Sequence, residues 1–237
     1  MLKINSFSKS YSKDKRAVDN ISLHVKSGEI FGFIGHNGAG KTTTIKSVVG
    51  ILDFTDGEIL INDISIKSHS VECKEIMAYI PDNPDLYEAL TGIQYLSFIA
   101  DIYKINKKER EEAIKYYGDK LELTKYLGDL ISSYSHGMKQ KLAIISALIH
   151  KPKLLVLDEP FVGLDPKAAH TLKELMKELC SEGSAIFFST HVLEVAEKLC
   201  DRIAIIKGGK IVAEGKIEDV IGNGSLEDLF MELVDNE

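Results

Sequence analysis

The apolar positions of the chain change period along its length. Val18, Ile21, Leu23 and Val25 alternate with polar partners, as in a half-buried strand, and Ile30-Phe31-Gly32-Phe33-Ile34 follows as a continuous apolar run bounded by glycines. A short run of that kind predicts a strand buried on both faces. Residues 42–49 predict a helix closed by Gly50, and residues 58–61 and 76–80 predict further strands. From Pro84 to about Lys151 the spacing turns helical, with Ile93, Leu96, Ile99 and Ala100 on one helix face and Leu142, Ile145, Ala147 and Ile149 on another. Strand signals return at residues 154–157, 185–188 and 203–206, with a helix over 166–181 between the first two. Strands alternating with helices predict an α/β fold whose largely parallel sheet is covered on both faces, with a helical lobe in the middle. In the acidic stretch from Glu218 onward, Ser225 with Asp228 three residues later, then Leu229, Phe230 and Leu233, predicts a capped amphipathic helix.

Composition narrows the class. The 237 residues suffice for one sizeable core, and 44% hydrophobic with 27% charged residues is the balance of a folded domain, not a disordered or fibrous one. No apolar run approaches the roughly 18 residues needed to cross a bilayer. The first six residues, Met1-Leu2-Lys3-Ile4-Asn5-Ser6, lead into polar and basic positions without the apolar core of a secretory signal, so a cytoplasmic chain is expected. Cys73, Cys180 and Cys200 are widely spaced and form no C-x-x-C pair, which argues against a disulfide framework or a zinc site. A net charge of -7 argues against nucleic acid as the main partner.

Two motifs carry the chemistry. Gly35-His36-Asn37-Gly38-Ala39-Gly40-Lys41-Thr42 fits G-x-x-x-x-G-K-[ST] and lies between a predicted strand and a predicted helix. Glycines let the backbone wrap a phosphate, the N–H groups and the helix N-terminus attract the anion, Lys41 reaches the β/γ-phosphates, and the Thr42 hydroxyl can ligate Mg²⁺. Alone, the motif says only that the chain handles nucleoside phosphates. Further on, Leu154-Leu155-Val156-Leu157-Asp158-Glu159-Pro160 reads as a buried strand ending in two acids. At a strand end the two side chains can diverge, so Asp158 is assigned to the metal and Glu159 to an attacking water. Between the motifs, Tyr134-Ser135-His136-Gly137-Met138-Lys139-Gln140 heads a predicted helix, where Ser135 and Gly137 can offer a hydroxyl and a close N–H to an anion.

These segments, with Gly163-Leu164-Asp165 and Ser189-Thr190-His191, resemble in order and spacing the nucleotide-binding domains of ABC transporters, over essentially the whole chain. The resemblance implies a P-loop NTPase core with a mainly parallel sheet (residues 1–83 and 152–215), including an N-terminal antiparallel β subdomain. It also implies an inserted α-helical subdomain (84–151) and a C-terminal helical tail (216–237). It implies ATP and Mg²⁺ as ligands, and a head-to-tail pair of domains in which Ser135 and Gly137 of one copy contact the γ-phosphate held by the other. Residues 35–43, including Asn37, Gly38, Ala39 and Thr43, would cradle the phosphates, with Glu159 as the catalytic glutamate and His191 as the switch histidine. Asp165 would link the two sites. Tyr11, read as lying before the first β segment, would stack on adenine. Two departures stand out: Asp82 occupies the place of a metal-binding glutamine, and His136 that of the first signature glycine.

In the family, the segment Pro84-Asp85-Leu86-Tyr87-Glu88 receives a coupling helix of the membrane subunit, so a separate transmembrane permease is the expected partner. The form Y-S-x-G-M-K-Q-K, with an acid at position 82, is similar to the ABC-2 exporter group, which serves drug, peptide or lipid export. The expected function is therefore an ATPase powering such a transporter from the inner face of the membrane. The competing reading, a soluble ABC ATPase acting on nucleic acid or ribosomes, is weaker because one phosphate loop is present and no heptad run or cysteine pair accompanies it.

Overall fold

A computed structural model describes residues 1–12, 15–222 and 224–235. Positions 13 and 14 of the expected core, and 223, 236 and 237 of the expected tail, lie outside the described residues. The chain runs through β1 (Leu2–Ser12), β2 (Lys15–Val25), β3 (Ile30–Ile34), α1 (Lys41–Val48), β4 (Asp56–Ile61), β5 (Ile64–Ser65), α2 (Ser70–Glu75) and β6 (Met77–Ile80). Helices α3 (Gly92–Ile102), α4 (Lys107–Lys120) and α5 (His136–Leu148) follow in the middle, then β7 (Leu154–Asp158) and α6 (Pro166–Ser181). The last elements are β8 (Ala185–Thr190), α7 (Leu193–Leu199), β9 (Arg202–Lys207), β10 (Lys210–Lys216), α8 (Ile217–Ile221) and α9 (Leu226–Asp235).

Continuous apolar strands belong inside a sheet with two covered faces. Accordingly β9, β3, β8, β7 and β6 lie side by side in parallel, and only β10 joins antiparallel at the edge. Successive side chains in β3 go to opposite faces. Ile30 and Ile34 join Ile80, Leu155, Leu157 and Phe188 under helices α3 to α6. Phe31 and Phe33 join Phe187 in a second core with α1 and the strands of the β2-β1-β4-β5 antiparallel sheet. The α/β class, the mainly parallel sheet and the antiparallel β subdomain are thus as expected.

Local signals set the helix starts. Thr91 and Gln94 form a reciprocal capping box at α3, Ser135 caps α5, and Asp165 caps α6 with Pro166 in the first turn. One expectation is corrected: Tyr11 does not precede the first β segment but lies inside β1. The alternation of β1 is hidden by a bulge. Leu2 and Ile4 are buried at period 2, then Ser6 takes φ +49° and the next buried residue is Phe7.

The order β3-β8-β7 decides the site. In an open parallel sheet, ligands bind beyond the carboxyl ends of the strands. Here the loops leaving three adjacent strands carry the phosphate loop, the Asp158-Glu159 pair and His191 to one edge.

Candidate functional site

From Ile34 the chain enters Gly35 and turns back on itself before α1 begins at Lys41. Gly40 adopts φ +114°, and a β-carbon there would lie 2.7 Å from the Ala17 carbonyl oxygen, so only glycine closes the loop against β2. The Ala39 N–H donates to the His36 carbonyl (3.1 Å), and the Ala39 carbonyl accepts from Gly209 N–H (3.0 Å) in the β9–β10 turn. Lys41, 5% exposed, donates from Nζ to the carbonyls of Gly35 (2.6 Å) and His36 (3.2 Å). Asn37, Gly38 and Thr42 are exposed around this cradle, and Thr43 is half-buried. The Thr43 hydroxyl lies 3.3 Å from that of Tyr11, whose ring is 65% exposed beside the loop.

Facing the loop are the two acids. Asp158 ends β7, 1% exposed, and its Oδ1 accepts from the Ser189 hydroxyl at 2.5 Å. Its Oδ2 is buried with no hydrogen-bond partner among the described residues. Burial pushes the Asp158 carboxyl above its ordinary range, the Ser189 and Thr42 hydroxyls pull it back, and the Asp82 and Glu159 charges push it up again. Glu159 then takes φ +50°, a left-handed conformation that turns its side chain away from Asp158's direction. Its N–H donates to the Ser189 carbonyl and hydroxyl, both at 3.2 Å. Glu159 Oε1 lies 3.4 Å from the Lys41 ammonium, and Oε2 lies 2.9 Å from His191 Nδ1 and accepts from the His191 N–H at 3.3 Å. Lys41, Glu159 and His191 therefore form one chain of contacts across three strand ends.

The unpartnered Oδ2 of Asp158, with the Thr42 hydroxyl close to this carboxyl and the Asp82 carboxylate within electrostatic reach of it, offers hard oxygen donors that suit Mg²⁺. Among the described residues no group of three or more His, Cys, Asp or Glu side chains could hold a metal ion by itself. Asp82 is exposed, and its Oδ1 accepts from the N–H of Asn83 at 2.9 Å, so the side chain is occupied locally. Asp82→Gln is expected to leave nucleotide turnover largely intact, because the glutamine carbonyl keeps an oxygen donor at this position. A collapse of turnover would show that this carboxylate is required.

A second cluster gathers the other sequence candidates. Ser135 is exposed at the head of α5 and accepts from Met138 N–H at 3.3 Å. A β-carbon on Gly137 would come within 3.1 Å of the Gly163 carbonyl. Asp165 accepts from Ala168 N–H (2.8 Å) and pairs with Lys141 (3.0 Å). Its carboxyl is held below the usual range, first by the Ala168 N–H and then by Lys141. His136 lies across the face of Gly163, where a β-carbon would sit 2.6 Å from Nε2, and Gly163 has φ +80°. The imidazole thus fills the space that any larger residue at 163 would need. Gly163→Ala is expected to destabilise the chain by about 1–2 kcal/mol from backbone strain, plus a smaller cost of displacing the exposed His136 ring. His136→Gly should relieve only the second part. Urea unfolding of both single variants and the double variant measures this coupling, and strictly additive losses would refute it.

The sequence pattern found the phosphate loop, both acids and His191, which the fold brings together. It missed Ser189 as the group that orients both acids, although Ser189 lies within the quoted Ser-Thr-His segment. It also missed Gly209 and Lys141, whose contacts with Ala39 and Asp165 no local spacing announces.

Comparison with known proteins agrees with this geometry. The family model described as ABC transporter matches residues 18–162. The linearmycin resistance ATP-binding protein LnrL of Bacillus subtilis is 37% identical over 224 residues, spanning 93% of this chain and 70% of that protein. A solved ATP-binding subunit of an ABC transporter superposes with a TM-score of 0.94 at 35% identity, covering 99% of both chains. The dimeric ATP-binding cassette MJ0796, solved in a post-hydrolysis state with ADP and Pi, gives a TM-score of 0.83 at 25% identity, covering 92% of this chain and 99% of that one.

Proposed function

Since the chain belongs to the ABC transporter family and is an ATPase of that family, we propose that it powers a membrane exporter of the ABC-2 type by closing as a dimer around ATP. The observation that carries the reading is the Lys41–Glu159–His191 chain of contacts at the mouth of the phosphate loop. Lys41 and the loop N–H groups bind the β/γ-phosphates, and Tyr11 offers its exposed ring to the adenine. Thr42, Asp158 and Asp82 would hold Mg²⁺, which would supply charge neutralisation for the phosphates. Glu159 orients the attacking water, and His191 holds Glu159 in place and meets the γ-phosphate. Ser135 and Gly137 of a second copy complete the site, and Asp165 links it to its twin. Catalysis on this scheme is positioning plus electrostatics, and hydrolysis opens the pair again.

ABC ATPase subunits work with a membrane permease. On this reading the permease is a separate polypeptide and the subunit sits on the inner face of the membrane; among the described residues no helix of this chain is long and apolar enough to cross a membrane. Its coupling helix docks beside Pro84-Asp85-Leu86-Tyr87-Glu88, where Tyr87 (60% exposed) and Phe98 (42% exposed) meet edge to face and present apolar surface. The Y-S-x-G-M-K-Q-K segment favours export, and the resistance-linked name of the relative LnrL accords with it.

Light scattering on the purified chain with Mg²⁺ and a non-hydrolysable ATP analogue tests dimer closure. The mass should double on adding the analogue and return on its removal. An unchanged mass at saturating nucleotide would overturn the shared-site reading.

A further inference from the structure

The amphipathic helix α9 is not merely packed on the core; it is fastened at three points, one of them on the phosphate loop itself. At its start, Leu226 N–H donates to Glu197 Oε2 of α7 at 2.9 Å. Near its end, the Leu233 carbonyl accepts from Lys207 Nζ at 3.0 Å, two residues before the Gly209 N–H that holds Ala39. Between these, Phe230, 7% exposed, lays its ring against His36, with centroids 4.7 Å apart and the planes tilted by 54°. His36 is exposed and sits in the phosphate loop itself, and its carbonyl accepts from both Lys41 Nζ and Ala39 N–H.

We propose that Phe230 is a positioning residue for ATP binding: through the His36 ring it fixes the backbone of the phosphate loop in the shape that receives the phosphates. The inference rests on the reading of residues 35–42 as the ATP cradle. A loop of exposed residues and glycines loses conformational freedom when it wraps a phosphate, and a ring contact that holds it beforehand reduces that loss. The support is present in ground state and transition state alike, so its removal raises KM and leaves kcat nearly unchanged.

Phe230→Ala, Phe230→Tyr, His36→Ala and the His36→Ala/Phe230→Ala double variant are compared with the parent chain. The dissociation constant of trinitrophenyl-ATP, the KM and kcat for Mg-ATP and the thermal midpoint are measured for each. An aromatic pair of this kind supports about a three- to tenfold rise in Kd and KM for Phe230→Ala, with kcat held and Phe230→Tyr close to the parent. The double variant should bind no more weakly than the weaker single variant. A fall in kcat at unchanged KM would move the effect to Glu197 and α7 and overturn the proposal. So would multiplying effects in the double variant, or unchanged affinity in a Phe230→Ala chain that keeps its thermal midpoint. Failure of the parent chain itself to bind the nucleotide would sink the ATP-cradle reading instead.

Discussion

Glu159→Gln should abolish turnover while sparing nucleotide binding. Glutamine keeps the size of the side chain and can still receive the His191 N–H, but it lacks the charge that, on the proposed reading, orients the water. Removing a positioned base of this kind costs about 10²–10⁴-fold in kcat, or roughly 3–5 kcal/mol of barrier. The affinity for ATP should hold or rise. Glu159 Oε1 stands 3.4 Å from the Lys41 ammonium, and both side chains are largely buried. A neutral amide there stops competing with the phosphates for Lys41 and removes a negative charge from beside them. Single-turnover hydrolysis and equilibrium binding on one preparation separate the two effects. Turnover within tenfold of the parent would show that the water is activated elsewhere.

The same geometry separates the two acids. Asp158 is buried, with one oxygen bonded to Ser189 and the other unpartnered, and it makes no contact with Lys41 or His191 among the described contacts. Glu159, at φ +50°, leaves the strand direction and reaches Lys41 and His191. A non-glycine residue held in this conformation stores strain of about 1–3 kcal/mol. Two N–H donations to the Ser189 oxygens offset part of it.

How much of this was legible beforehand depends on whether the signal was local. The strand ending at Ile34, the loop after it and the strand ending at Asp158 are each written within a few residues, and all formed as read. Strand β1 was not, because the bulge between Ile4 and Phe7 breaks the period on which the reading relies. That is why Tyr11 was placed outside a strand although it lies within one, 3.3 Å from Thr43. The fit of His136 over Gly163 joins positions 27 residues apart, and that of Phe230 on His36 joins positions nearly 200 apart. Neither pair has a sequence pattern, since each depends on the tertiary approach of two loops or of a loop and a helix.

Lys41→Ala should act on binding itself. The ammonium is 5% exposed and donates to the Gly35 and His36 carbonyls while facing Glu159. Its removal does three things at once. Two loop carbonyls lose their donor, Glu159 keeps a buried charge without its cation, and the β/γ-phosphates lose a point of positive charge in a poorly hydrated place. Truncating one member of a buried, hydrogen-bonded charge pair costs about 2–5 kcal/mol, or roughly 30- to 5,000-fold in ATP affinity. Hydrolysis should fall at least as far. Lys41→Arg should not restore it, because a planar guanidinium cannot converge on the two carbonyls and a phosphate as a compact ammonium does. Calorimetric titration with Mg-ATP measures the loss, and the combined Lys41→Ala/Glu159→Gln variant shows its origin. If the stranded Glu159 charge contributes, neutralising it should recover part of the lost affinity. If the double variant binds no better than Lys41→Ala alone, the whole effect belongs to the missing contact with the phosphates.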